Sequence, residues 1–189
     1  MLFTVQDSPA QIRQTLLHEL HRGALDSKHP FRYLNLGTIG KNGPEVRTVV
    51  CRYISQDLEF CIYTDFRSEK VSELHLNPLA SLHFYHPGKR VQIRIKAKTE
   101  IHHQDEVSSA FWSKVQGEAQ KAYTSSSAPG TSVSDPNEAF DWLGNPDDRY
   151  FSVLKFVPLS IEALQLNGLQ HLRILFSEKD NWAGQWLVP

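Results

Sequence analysis

The sequence predicts a mainly β fold, an antiparallel barrel with helices at its periphery. Three features point that way. Apolar residues recur at every second position in several short runs, turn residues join those runs in hairpin order, and only three stretches have helical spacing. The chain has 189 residues, 40% of them hydrophobic and 22% charged, an ordinary composition for a globular protein. A chain of this size buries roughly 70% of its unfolded surface and needs no metal or disulfide to stay folded. Residues 1–189 are therefore read as one domain.

The first helix, within residues 1–25, starts at a capping box: Ser8 as cap, Pro9 at the first helical position and Gln11 three residues after the cap. Ile12, Leu16, Leu17 and Leu20 form its apolar stripe, and Gly23 is a natural stop. The period then changes to two. Leu34, Leu36 and Thr38 alternate with Asn35, Gly37 and Ile39, and Lys41-Asn42-Gly43-Pro44 makes a turn. Residues 45–54 read as one further β-branched strand, followed by a Ser55-Gln56-Asp57 turn and a strand over 58–64.

Residues 67–76 read as a short helix closed by Asn77-Pro78, because a residue before proline avoids the helical region. Strands over 79–86 and 90–101 flank Pro87-Gly88. The second has the clearest alternation in the chain: Val91, Ile93, Ile95, Ala97 and Ile101 on one face, Gln92, Arg94, Lys96, Lys98 and Glu100 on the other. Residues 104–115 return to helical spacing, with Val107, Phe111 and Val115 on one side. A long polar loop covers 124–137, a length that is often functional. The C-terminal strands, 150–189, fall near 150–157, 159–166, 171–176 and 182–188. The Trp-rich end, Trp182 to Trp186, is expected to be core or dimer contact.

Several functions are excluded early. Twenty Lys and Arg against twenty-one Asp and Glu leave a net charge of −1, without the cationic excess that nucleic-acid binding requires. Cys51 and Cys61 form neither a disulfide framework nor a C-x-x-C pair. The start lacks a secretory pattern and no run is long and apolar enough for a membrane span, so a cytoplasmic location is expected. His18-Glu19-Leu20-His21 is one residue short of H-E-x-x-H, and the Rossmann, P-loop and G-x-S-x-G patterns are missing. The nine histidines are scattered, His102-His103 reads as an exposed strand end, and no metal site is expected.

The remaining signals are cationic. Arg47-Thr48-Val49-Val50-Cys51-Arg52 places two arginines in an apolar strand, with Arg47, Val49 and Cys51 on one face and Thr48, Val50 and Arg52 on the other. Solvated arginines at a sheet edge and a phosphate-binding pair both fit this pattern. A second cluster, Tyr63-Thr64-Asp65-Phe66-Arg67-Ser68-Glu69-Lys70, runs from a strand end into a helix start, where N–H groups, a hydroxyl and two cations can meet an anion. A merely charged first turn fits it too. Gln92 lies on the polar face of the best-defined strand, where its amide could pair with a heteroaromatic ring edge.

In this order and spacing, the segments resemble the pyridoxamine 5'-phosphate oxidase family of FMN-binding split barrels. The likeness runs over about 31–101. Its carriers are Arg47 to Arg52 (similar to R-x-V-L-L-K), Tyr63-Thr64, Ser68-Glu69-Lys70 (similar to S-R-K), Asn77-Pro78 and Gln92, with His171 and Arg173 near the end. The resemblance implies a six-stranded split barrel with Greek-key character. It also implies a homodimer holding FMN at the subunit interface, and a small-molecule substrate. By the same resemblance Arg47, Thr48, Val49, Val50 and Arg52 line the flavin and its phosphate. Tyr63 and Thr64 contact the ring or ribityl chain, Ser68 and Lys70 hold the phosphate, and Gln92 and Arg173 meet the flavin.

The sequence also departs from the family. Glu69 stands where the family has a phosphate-binding arginine, with Arg67 nearby to supply the charge, and Arg52 replaces a lysine. Leu169-Gln170-His171 keeps only the histidine of R-x-H, an aliphatic residue near Leu166 replaces the flavin-stacking tryptophan, and the substrate-gripping Tyr, Arg and Ser trio has no counterpart among Trp112, Lys114, Gln116, Lys121 and Tyr123. These changes fall on the vitamin B6 site more than on the cofactor site. No conventional acid–base pair is visible. His171 is the expected proton-handling or substrate-contacting group, with a purely structural role as its alternative. The implied activity is an FMN-dependent oxidoreductase accepting hydride from a small substrate. The alternatives are a non-catalytic barrel that binds FMN, haem or a B6 phosphate, and a plain dimeric barrel.

Overall fold

The computed structural model describes residues 1–142, 144 and 147–189. Among the described residues, three α-helices, α1 (Pro9–Leu25), α2 (Glu69–Leu76) and α3 (Glu106–Trp112), accompany nine strands. The strands are β1 (Tyr33–Gly40), β2 (Gly43–Val50), β3 (Tyr53–Ile54), β4 (Phe60–Asp65), β5 (Leu79–His86), β6 (Val91–His103), β7 (Phe151–Gln165), β8 (Leu172–Ser177) and β9 (Gly184–Leu187). All pair antiparallel in one sheet, in the order β2-β1-β5-β6-β7-β4-β3, with β8 also on β7 and β9 on β8. The fold is mainly β and of the split-barrel type. It corrects the expected six strands to nine, and the pairing order does not close into a ring.

The split arises at β7. This strand runs beside β6 for its whole length, but its other edge is divided: residues 151–156 pair with β4 and residues 160–165 with β8. Between those halves the β6 register slips, with Ala97 opposite Pro158 and Lys96 opposite Ser160, so Leu159 is the extra residue of a bulge. Proline has no N–H to give a ladder, and a bulge is where a strand tolerates one. Two strands expected on either side of Pro158 are therefore one strand, bent where its partner changes.

The expected strand over 45–54 breaks for a different reason. Cys51 N–H bonds to Arg32 O and Arg52 N–H to Cys61 O, both at 2.9 Å. The chain thus leaves β1 and pairs with β4. Gly23 also plays a role other than the expected stop. α1 continues to Leu25, and a Cβ at Gly23 would lie 2.6 Å from Phe31 Cβ, so the glycine permits the close approach of Phe31.

Inward residues of the strands, including Leu36, Leu82, Phe84, Ile93, Ile95, Phe156 and Phe176, meet Ile12, Leu16 and Leu20 of α1 in the main core. Each such side chain contributes about 1.5–3 kcal/mol on burial. A smaller cluster, Cys61, Val115, Tyr123, Phe151 and Val153, lies on the opposite face of β4, with Tyr63, Phe111 and Trp112 against it. α3 is shorter than expected, and Val107 is exposed rather than on its packed side. His102 and His103 are not an exposed end: His103 stacks on Phe66 at 3.8 Å and is half-buried within β6.

α1 is also fastened electrostatically. The buried Glu19 carboxylate meets Lys89 Nζ at 2.6 Å, Arg22 Nη1 at 3.0 Å and His29 Nε2 at 3.1 Å. Burial alone would push this carboxyl up, but hydrogen bonds from Lys89 and His29, the Lys89 charge and Arg22 outweigh it and bring it down to about 2. A carboxyl depressed in the folded state stabilises it fully above its ordinary value of 4.5, and that stabilisation fades as pH falls toward 2. Glu19→Gln is expected to lower stability by about 2–4 kcal/mol at pH 7. In urea titrations the gap between variant and parent should narrow at pH 3; a gap that is the same at both pH values would contradict the ionic role.

Candidate functional site

The junction of β4 and α2 gathers the first set of groups. Strand alternation turns Thr64 to the main-core side of β4 and Tyr63 and Asp65 to the other. Ser68 takes the cap position of α2, yet its hydroxyl caps no helix N–H and instead lies 3.2 Å from Thr64 Oγ1. Lys70, in the first turn, donates to the same Thr64 oxygen at 3.0 Å.

Arg47 reaches this junction from β2. It lies opposite Leu36 in the β1–β2 register and so shares that residue's inward side. Its Nη2 donates to both Glu73 oxygens at 2.9 and 3.2 Å, and its Nη1 donates to Thr38 Oγ1. The Thr38 hydroxyl donates in turn to Glu73 at 2.5 Å, so the guanidinium is held from both sides. Glu73 and Thr38 are buried. Lys70 is pushed below the usual lysine range, first by burial and then by the Arg47 charge, against the opposing pull of Asp65 and Glu73. Two like charges are therefore kept within electrostatic reach of each other beside two hydroxyls. Arg47, Lys70, Thr64 and Ser68 form a cradle whose donors have the chemistry to accept an anion.

The other expected residues are distributed differently. Thr48 Oγ1 bonds Asn35 Oδ1 at 2.9 Å on the outward side, Val49 packs on the main core, and Val50 is half-buried. Arg52 is exposed, beyond the break after β2, with its guanidinium 5.8 Å from the Tyr63 ring. Tyr63 belongs to the small aromatic cluster, where burial pushes its phenol up to about 12. Arg67 faces away from the cradle and toward Asp65 and the 125–127 loop. Gln92 and Arg173 fall on one transverse row of the outward sheet face, Tyr85–Gln92–Leu164–Arg173–Leu187. Arg173 bonds Glu162 at 2.9 Å, and Arg94 holds the same carboxylate at 2.7 Å. His171 Nδ1 accepts the Asn167 N–H at 3.2 Å across an exposed turn.

One chain therefore brings Arg47, Thr64, Ser68 and Lys70 together. It places Gln92 and Arg173 on a second surface and leaves His171 apart from both. The sequence reading missed Thr38 and Glu73. The signal for Glu73 was its place three residues after Lys70 on α2, which puts both on one helix face.

Among the described residues, Glu19, His29 and His86 have ligand atoms within 4.8 Å of one another. Their chemistry is that of an ion network. His29 Nδ1 accepts the Phe31 N–H at 3.1 Å, which leaves the proton on the Nε2 that faces Glu19, and the Lys89 ammonium already occupies the carboxylate.

Comparison with known proteins gives the family and the fold. Residues 9–117 match the family model described as pyridoxamine 5'-phosphate oxidase, FMN-binding domain. A pyridoxine/pyridoxamine 5'-phosphate oxidase of Rhizobium meliloti (strain 1021) is 26% identical over 171 residues, covering 85% of this chain and 80% of that protein. The crystal structure of a pyridoxamine 5'-phosphate oxidase-related, FMN-binding protein from Nostoc punctiforme superposes with a TM-score of 0.78 at 25% identity, over 94% of this chain and 97% of the other. PhzG from Burkholderia lata, solved with tetrahydrophenazine-1-carboxylic acid, shares the fold with a TM-score of 0.73 at 18% identity, over 96% and 93% of the two chains.

The gathered side chains are equipped to bind and orient, and the nearby thiols add no nucleophile. Cys51 and Cys61 are both free and buried, and burial pushes each thiol up to about 12. A neutral buried thiol is inert. Ellman's reagent at pH 8 is expected to find no reactive thiol in the native protein and two in denaturant. Rapid labelling of either cysteine in the folded state would contradict this.

Proposed function

The chain belongs to the FMN-binding pyridoxamine 5'-phosphate oxidase family, and from that premise we propose that it is an FMN-dependent oxidoreductase, accepting hydride from a small substrate. We further propose that it works as a cytoplasmic homodimer with FMN at the subunit interface, the whole of 1–189 forming one FMN-binding unit. The observation that carries the reading is the Arg47–Lys70 pair, two cations kept close together beside the Ser68 and Thr64 hydroxyls. A dianionic phosphate relieves their repulsion and replaces the water that Lys70 has lost, so these residues fit the terminal group of a mononucleotide.

When bound, the flavin supplies the redox chemistry, and the protein supplies position and electrostatics. In this reading Arg47 and Lys70 hold the phosphate, and Ser68 and Thr64 donate hydroxyls to it. Glu73 and Thr38 keep the Arg47 fork pointed at it. Gln92 and Arg173 meet the flavin ring. They lie on the outward face, whereas Arg47 points inward, so a site uniting them draws on a second copy of the chain. Exposed Tyr33, Ile39, Leu79 and Tyr85 on that face favour such an association. His171, which lies apart from both the cradle and the outward row, is assigned to substrate contact. The main-chain positions of Thr48, Val49 and Val50, with Arg52 and Tyr63 beyond them, are assigned to the wall of the same cleft.

The protein purified without added cofactor is expected to be yellow and to release stoichiometric FMN. Arg47→Ala combined with Lys70→Ala should weaken FMN binding by roughly two decades or more, since each charge-assisted contact contributes about 1.5–3 kcal/mol, and should leave the oligomer intact in sedimentation. Unchanged FMN occupancy in the double variant would overturn the site. Peroxide release with pyridoxamine 5'-phosphate or a reduced nicotinamide tests turnover, and an FMN-loaded protein inert to every amine and nicotinamide offered would overturn the enzymatic reading.

A further inference from the structure

Arg67 is the cation that the sequence places nearest the expected phosphate ligands, one residue before Ser68. Its hydrogen bonds lie elsewhere. Its backbone N–H and Nε both donate to Asp65 Oδ1, at 2.8 and 3.1 Å, and Nη2 donates to Asp65 Oδ2 at 2.7 Å. The remaining donor capacity goes to three successive carbonyls of the long loop: Ser125 at 2.8 Å, Ser126 at 3.1 Å and Ser127 at 3.3 Å. The guanidinium carbon also stands 3.4 Å from the centre of the Tyr150 ring. A planar fork can satisfy a carboxylate and a row of carbonyls together, which an ammonium cannot. Asp65 is itself buried, so the clamp rests on a fixed base.

Among the described residues, the loop's remaining hydrogen bonds and its bridge are mostly internal. Within itself, Ser126 bonds Asp141 through both its N–H and its hydroxyl, Ser125 bridges Trp142, and Lys121 lies over the Trp142 ring. Toward the barrel, the hydrogen bonds of residues 124–142 among the described residues come from Arg67. One short segment thus serves two structures in alternation. Thr64, Ser68 and Lys70 turn to the anion cradle, and Asp65 and Arg67 turn to the loop.

We propose that Arg67 is a positioning residue, the latch that holds the 124–142 loop to the turn between β4 and α2, on the side away from the mononucleotide cradle, and that it does not bind the phosphate. The latch stands on geometry alone, whereas its relation to flavin rests on the function proposed above. The test therefore has two arms. The first uses flavin-free protein and chymotrypsin. Phe140 and Trp142 are exposed on the loop, and cleavage there is identified by fragment mass. Arg67→Ala is expected to speed that cleavage at least tenfold, with Arg67→Lys and Asp65→Asn intermediate. The second arm compares dissociation constants for FMN and riboflavin by fluorescence. The preference for FMN should stay within about threefold of the parent in Arg67→Ala and fall at least tenfold in Lys70→Ala.

Loop cleavage no faster than the parent's in all three latch variants would overturn the latch. A loss of FMN preference in Arg67→Ala matching that of Lys70→Ala would overturn it as well, because that is the signature of a phosphate ligand. Should Arg67→Ala fail to fold, Arg67→Lys and Asp65→Asn carry both comparisons. Should the parent bind no flavin, the function proposed above fails and the chymotrypsin arm still decides the latch.

Discussion

A buried carboxylate holding one of two neighbouring cations is the interaction on which the site depends. Glu73 lies on α2, Arg47 on β2 and Lys70 one turn before Glu73, so three groups from two distant segments meet in one place. Leaving a charge buried without its partner costs several kcal/mol, so this arrangement fixes how α2 sits against β1 and β2. It also leaves Lys70 without a paired carboxylate among the described residues, since Glu73 is engaged by Arg47 and Lys70 by the Thr64 hydroxyl. The local charge is therefore poised for an added anion without rearrangement of the guanidinium, which Thr38 and Glu73 already hold in one orientation.

The bulge at Leu159 has an equally wide reach. A straight β7 would offer one partner strand along its free edge. The bent strand offers two, β4 on one half and β8 on the other, and the sheet divides into two leaves. The first leaf carries Thr64 and runs into α2. The second carries Arg173 into line with Gln92 on the outward face. The split is thus what separates the cradle from the outward row, and it explains why a single chain places the expected cofactor residues on two surfaces.

Much of this was legible in the sequence wherever the deciding interaction is local. The capping box of α1 formed as Ser8, Pro9 and Gln11 indicate, and the alternation of β6 gave a buried face and a wet one as written. What was not legible depends on partners remote in sequence. The residues around Cys51 look like a continuing strand, and only the carbonyls of Arg32 and Cys61 end it. Pro158 looks like a boundary between strands because its bulge is defined by the partner's register. Glu19 looks like a solvated helix residue next to His18 and His21. Its burial comes from Lys89, seventy residues on, in the β5–β6 turn.

The same reasoning applies to the cations. Arg47, Arg52, Arg67 and Lys70 carry the same charge within a span of 24 residues, and charge composition treats them alike. The backbone separates them. Period-two alternation sends Thr64 and Asp65 to opposite sides of β4, and α2 returns Ser68 and Lys70 to the side of Thr64, while the turn between leaves Arg67 on the side of Asp65. Once Asp65 has taken one edge of the Arg67 fork, the other edge is left to carbonyl oxygens, which repel a phosphate at the same position. Among the described residues, the hydrogen-bond partner of Lys70 is a hydroxyl, and the Arg47 charge lies within electrostatic reach. The different surroundings of Lys70 and Arg67 therefore come down to which acceptors reach each cation first, and that is settled by strand direction and not by residue type.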